Sequence, residues 1–320
     1  MRSARLVAIL ICLLAGIGTA PVTPAVFAQD GVEIPPLPRP RPDRVATPDL
    51  PTPEQTAATE AIAALADIPQ PVTLAARITQ DGPPIPEGLI WRIFESTPDE
   101  NGEMALVAKS DSGTAAVELN PGDYVVHVAY GQAQVTETLS VVPGENSLEV
   151  VLDAGALRLN SAVTGDIPIS PALLNFDIYT GGDESSRALV ADNLTPNEIV
   201  TLTAGTYHIV SRFGTINAVV RADLRVEPGQ LTDATLYHHA AEVSFKLVSE
   251  EGGEAIADVE WTVKTTDGAT IFSDRGAFPS TVLAEGDYLV LAKLGDEVFN
   301  REIQIQPGSP REIELLTAVY

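Results

Sequence analysis

The chain has 320 residues and carries 44 acidic against 19 basic side chains, a net charge of −25 at neutral pH. That balance makes nucleic acid and anionic lipid poor partners, because their phosphates would repel it, and the length suffices for two or three domains. The single cysteine, Cys12, lies in the first 28 residues, so a chain that loses them has no disulfide to staple a small scaffold.

Residues 1–28 read as a signal peptide. Arg2 and Arg5 form a basic start, residues 6–17 an apolar run too short to span a bilayer well, and Val26-Phe27-Ala28 a cleavage site ending in a small residue. Ile11 stands before Cys12 where a lipoprotein would have a small residue. An uncleaved leader is the alternative, and the only route to a membrane. Residues 29–52 are a Pro-rich linker containing Pro35-Pro36-Leu37-Pro38-Arg39-Pro40-Arg41-Pro42, which favours a stiff polyproline spacer. Residues 53–69 form one short helix, with Thr52 as N-cap and Pro53 in the first turn, or else an Ala-rich extension of the linker.

From residue 70 the apolar period is two, and three β-sandwich domains are expected: 70–153, 154–239 and 240–320. Their opening strands hold Val72-Thr73-Leu74, Leu157-Arg158-Leu159 and Val243-Ser244-Phe245. A second strand carries an aromatic residue: Trp91, Phe176 and Trp261. Then comes a shared motif, Leu119-Asn120-Pro121-Gly122-Asp123-Tyr124, Leu202-Thr203-Ala204-Gly205-Thr206-Tyr207 and Leu283-Ala284-Glu285-Gly286-Asp287-Tyr288. The Tyr-to-Tyr spacing is 83 and then 81 residues, and a Gly follows seven residues after each Tyr. The motif's Gly is expected at positive φ, with Pro121-Gly122 at the centre of a type II turn. After it, Tyr124, Val126, Val128 and Tyr130 face inward, as do Tyr207, Ile209, Ser211 and Phe213, and Tyr288, Val290, Ala292 and Leu294. Turns at Pro143-Gly144, Pro228-Gly229 and Pro307-Gly308 precede each closing strand. Units of about 80 residues are marginal alone, so the three are expected to pack end to end or share interfaces.

This order of strands and turns resembles the bacterial Ig-like and prealbumin-like sandwiches, including carboxypeptidase-regulatory-like and Cna-B-type modules, over residues 70–320. The Tyr resembles the tyrosine corner of such folds, a buried ring whose hydroxyl bonds upstream backbone. The resemblance implies an all-β fold of three tandem antiparallel sandwiches with structural, adhesive or presenting roles. It also invites comparison with the Lys–Asn cross-link of some Cna-B-type modules, through Lys246 and Asn300. Alternation opposes that pairing, because Val243, Phe245 and Leu247 take the inward face and leave Lys246 outside.

No catalytic constellation is expected, and no cofactor or metal. His127 and His208 fall on the face opposite the buried tyrosines and are expected at solvent or an edge. His238 and His239 point to opposite faces at a domain junction, where an interdomain hydrogen bond is expected. Asp99-Glu100-Asn101-Gly102-Glu103 is a solvated acidic turn or a weak calcium loop, without the Glu of an EF-hand at position 110. Asp183-Glu184 and Glu250-Glu251-Gly252-Gly253-Glu254 are similar turns. Trp91 and Trp261 fill cores at equivalent places, or else form exposed sugar platforms. The expected function is that of an exported, periplasmic or extracellular, non-enzymatic envelope protein. Its expected partner is another envelope protein, with a carbohydrate- or wall-binding module as the alternative.

Overall fold

The structure is a computed structural model that describes residues 59–61, 64 and 68–317. The leader, the Pro-rich linker and most of the 53–69 segment lie outside the described residues; within that segment, positions 59–61 and 64 are helical. Among the described residues, no helix is long and apolar enough to cross a membrane.

Strands dominate the remainder. The first sandwich comprises β1 (Gln70–Arg77), β2 (Glu87–Pro98), β3 (Met104–Ser112), β4 (Thr114–Leu119), β5 (Gly122–Tyr130), β6 (Ala133–Val141) and β7 (Asn146–Val151). The second comprises β8 (Ala154–Val163), the short β9 (Ile167–Pro168), β10 (Leu174–Thr180), β11 (Leu189–Leu194), β12 (Ile199–Thr203), β13 (Gly205–Phe213), β14 (Ala218–Val226) and β15 (Leu231–His238). The third comprises β16 (Ala240–Val248), β17 (Glu260–Thr265), β18 (Thr270–Arg275), β19 (Ser280–Ala284), β20 (Gly286–Leu294), β21 (Glu297–Ile305) and β22 (Arg311–Leu316).

Each sandwich opposes two sheets. In the first their orders are β4-β1-β7 and β3-β2-β5-β6; the second repeats this as β12-β8-β15 and β11-β10-β13-β14, and the third as β19-β16-β22 and β18-β17-β20-β21. The sheets are antiparallel except for one pair per sandwich: β1 with β7, β8 with β15 and β16 with β22 run parallel. First and last strands lie side by side in the same direction, so the chain enters a sandwich at one end and leaves at the other. A cation on the first strand meets an acid on the last in all three: Arg77 with Glu149 at 3.2 Å, Arg158 with Asp233, and Lys246 with Glu312 and Glu314, both at 2.8 Å.

Strict alternation fills the interiors. Val72, Leu74, Trp91, Ile93, Val126 and Val128 are buried in the first core, and Val243, Phe245, Leu247, Trp261, Val263 and Val290 in the third. Trp91 and Trp261 are 0% and 1% exposed, and each indole N–H donates to a carbonyl, of Ser112 and Gly276 respectively, at 3.0 Å. They are core residues, not platforms.

The tyrosine corner is present three times. Tyr124 donates to the Asn120 carbonyl at 2.8 Å, Tyr207 to Thr203 at 2.7 Å and Tyr288 to Ala284 at 3.0 Å. The motif's glycine does a different job from the one expected. Gly122 has φ 156° and pairs with Val141, so it opens β5 instead of sitting at the second central place of a type II turn, where φ is near +80°. Gly286 matches it at φ 155°, whereas Gly205 has no positive φ. The common feature is proximity: a Cβ on Gly122, Gly205 or Gly286 would contact the ring of the Tyr two residues on.

Consecutive sandwiches are joined by Leu152-Asp153 and by His239 alone. Their contact is built from the β5–β6 and β13–β14 hairpin tips. Gln132 N–H donates to the Thr201 carbonyl at 3.0 Å, and a Cβ on Gly131 would come within 3.1 Å of Thr201. In the next joint Gly214 occupies the same place, and a Cβ there would lie 2.7 Å from Val282. Asn217 completes that joint by donating to the Tyr288 hydroxyl at 2.8 Å and accepting from Ala284 N–H at 2.9 Å. Val282 packs into the second core, so neighbouring sandwiches share an interface.

Candidate functional site

In a sandwich each strand shows one face to the core and one outward, so polar residues that are buried on an outward face need a reason. The second sandwich has such a place. On β10, Phe176 and Ile178 point into the core, which turns Asn175, Asp177 and Tyr179 outward. On β13, Ile209, Ser211 and Phe213 point inward and His208, Val210 and Arg212 outward. The register sets Tyr179 beside His208 and His208 beside Asp223, then Asp177 beside Val210 and Val210 beside Arg221. Asp177, His208 and Val210 are nonetheless only 7%, 9% and 6% exposed.

The segment between β10 and β11 accounts for this enclosure. It contains a 3-10 turn at Glu184–Ser186, and Glu184 and Arg187 line one cleft with Tyr179, His208, Arg212 and Arg221. The cleft holds about 270 Å³. Its floor is tied down by ion pairs. Arg212 pairs with Asp177, which holds the guanidinium above its ordinary pKa, and Asp177 also accepts from Asn193 N–H at 3.1 Å. His208 Nδ1 donates to Asp223 at 2.7 Å. Two polar atoms on this face are buried without a hydrogen-bond partner, Asn175 Oδ1 and Arg187 Nε. Sequence reasoning missed the cleft. It expected His208 at solvent or an edge, which the overlying segment corrects; Asp183-Glu184 lies in an exposed turn, and Glu184 lines the cleft. The available signal was Arg212 and Arg221 in outward phase on successive strands, but only the register shows that they converge.

The other residues singled out from sequence fall elsewhere. His127 lies 3.2 Å from Thr136 Oγ1 on the outward face of β5, its pKa lowered by partial burial and by Arg92. His238 is fully buried, and its side chain makes no interdomain hydrogen bond. Its Nε2 lies 2.8 Å from Ser211 Oγ, which lies 2.9 Å from Ser161 Oγ; its Nδ1 has no partner. Burial lowers its pKa to about 4. The junction contact comes from His239 instead, whose carbonyl accepts from Glu285 N–H at 2.8 Å and whose Nδ1 lies 3.4 Å from the Glu285 carboxylate.

Asp99 is occupied by its own turn. It accepts from Asn101 and Glu103 N–H at 2.8 and 2.9 Å, and these amides, Glu103 first, hold its carboxyl below the usual range. Among the described residues no group of three or more His, Cys, Asp or Glu is placed to hold a metal. Lys246 is engaged by Glu312 and Glu314, which raise its pKa, Glu312 first. Asn300 pairs with Leu291 in the opposite sheet, outward beside buried Phe299, so the fold separates it from Lys246.

The model of the Rhizobiales growth-associated tandem repeat domain matches residues 242–317, which lie in the third sandwich. No curated protein matches the chain. Among solved structures, the chain is similar to the Bacillus anthracis TIE protein at 16% identity and a TM-score of 0.24, over 78% of this chain and 50% of that one. It therefore spans about half the length of that protein. It is also similar to the minor pilin of Streptococcus agalactiae, at 12% identity and a TM-score of 0.31, over 53% of this chain and 95% of that one. A streptococcal ancillary pilin matches at 11% identity and a TM-score of 0.30, over 79% of this chain and all 100% of its own.

Proposed function

We propose that the protein is a non-catalytic scaffold of the bacterial cell envelope, exported by a cleaved leader at 1–28, its sandwiches held away from a membrane or partner by the spacer at 29–52. Its working part is three sandwiches, 70–153, 154–239 and 240–320. The observation that carries this reading is the repeated joint. A hairpin tip docks on the corner strand of the next sandwich twice over, Gly131 on Thr201 and Gly214 on Val282, across connections of two residues and one. Such joints maintain a fixed spacing, which a scaffold requires. The match of the third sandwich to a tandem repeat domain is consistent with it.

The partner is another envelope protein, met at the free edge of β3. That strand is the outer member of its sheet, and Met104, Leu106 and Val107 on it are exposed. An exposed apolar edge strand with unpaired N–H and C=O groups is a template for an added strand. The carbohydrate- or wall-binding alternative loses its aromatic platforms, because Trp91 and Trp261 are interior. The test is a photo-crosslinker at Val107 of a C-terminally tagged chain in its native cells, with Glu302 as control position. One envelope protein captured from position 107 and not from 302 is the expected result. Wall fragments, or equal capture from both positions, would count against it. Intact mass of the exported protein reads leader cleavage in the same preparation.

A further inference from the structure

We infer that the cleft on the outer face of β10, β13 and β14 is a binding site for a single carboxylate group. The inference is independent of the scaffold reading. In a chain with a net charge of −25, three arginines converge here beside a histidine. Asp177 holds Arg212, and Asp223 holds His208. Arg187 and Arg221 form no ion pair among the described residues, and the buried Nε of Arg187 donates to nothing. Against these two cations the lining offers one acid, Glu184.

These two guanidinium groups select the ligand. A carboxylate brings one negative charge to them, whereas a phosphate dianion would set a second one against Glu184. Guanidinium groups match a planar carboxylate through two parallel N–H···O bonds, and Nε is one of the donors such a pairing uses. The cleft's size of about 270 Å³ lies just below the range of ~300–1,000 Å³ for small-molecule pockets. That is room for one terminal unit. Tyr179 and His208 add flat surfaces along one side. The carboxylate therefore belongs to the last residue of a peptide or to a single acidic sugar.

Calorimetric or NMR titration of the full chain tests this with four probes: N-acetyl-L-alanine, D-glucuronate, inorganic phosphate and glucose. Saturable binding of a carboxylate probe is expected, with phosphate weaker and glucose silent. Tighter acetylalanine identifies a peptide terminus as the source, and tighter glucuronate an acidic sugar. Arg221→Gln and Arg187→Gln should each weaken binding at least tenfold. Arg225→Gln, an exposed arginine on the same strand paired with Glu227, should leave it unchanged. Melting temperatures confirm that each variant is folded, and Arg221 is exposed enough that its substitution leaves the core intact. Three results would overturn the assignment: no saturable binding of either carboxylate, phosphate binding as tight as carboxylate, or equal losses in the Arg225 and Arg221 variants.

Discussion

A tyrosine hydroxyl that closes on the carbonyl four residues upstream fixes the corner before each long strand, and the three corners are not equivalent. Tyr124 and Tyr207 satisfy one carbonyl each, while Tyr288 also accepts from Asn217 of the preceding sandwich. Tyr124→Phe should cost about 1 kcal/mol, the usual net worth of one hydrogen bond. Tyr288→Phe should cost about twice that, because it also strips the Asn217 donor of its acceptor; urea unfolding of the two variants side by side reads the difference. His238 gives a pH signature. Its pKa falls from 6.5 to about 4 on folding, so above pH 6.5 it is neutral in both states and costs nothing. Between 6.5 and about 4 the unfolded chain takes up the proton and the folded chain does not, so stability declines as pH falls through that window. The full loss is about 3 kcal/mol at about 1.4 kcal/mol per pKa unit. His238→Gln should flatten that stretch of the stability–pH curve, measured by thermal melts from pH 7 to 4. The clue to this buried group was in the sequence. Ser161, Ser211 and His238 each interrupt an apolar phase of the second sandwich, and the structure brings the three together in one hydrogen-bonded string.

Glycine at the tips of the long hairpins separates two costs that are usually mixed. Gly214 and Gly295 share the left-handed conformation, with φ 71° and 62°. Gly214 faces Val282 of the next sandwich, whereas nothing lies within 4 Å of a Cβ on Gly295. Gly295→Ala should cost about 1 kcal/mol for backbone conformation alone. Gly214→Ala adds the overlap with Val282 and should reach about 2–4 kcal/mol in total; calorimetry should also show it loosening the coupling between the second and third sandwiches. At this scale much was legible. The inward sets of the three long strands follow from period-two alternation alone, and the aromatic second strands line up with them, Trp91 beside Val128, Phe176 beside Ser211 and Trp261 beside Ala292. Pairing was not legible. The parallel neighbours β1 and β7 are separated by five other strands, and no local pattern announces a bond between first and last. The carboxylate cleft escaped for the same reason, since Arg187, Arg212 and Arg221 come from three separate segments.

The outer faces of the first and third sandwiches differ from the joints between them. Each joint sets a hairpin tip against a residue four positions before the corner glycine, Thr201 in one case and Val282 in the other. The corresponding residue in the first sandwich is Glu118, exposed, and the corresponding tip in the third carries Asp296 and Glu297, also exposed. Brought together, these would oppose three carboxylates in the place of an apolar contact. The protein is therefore expected to remain a monomer at neutral pH by sedimentation velocity over a hundredfold concentration range, and Glu118→Thr with Asp296→Asn and Glu297→Ala should introduce concentration-dependent association. The parallel pairing of first and last strands has a consequence for copy number. Every repeat receives the chain at one end and releases it at the other, so a further repeat can be appended at the exit without rerouting those before it. Copy number is thus adjustable by duplication while each unit keeps its own corner, core and joint.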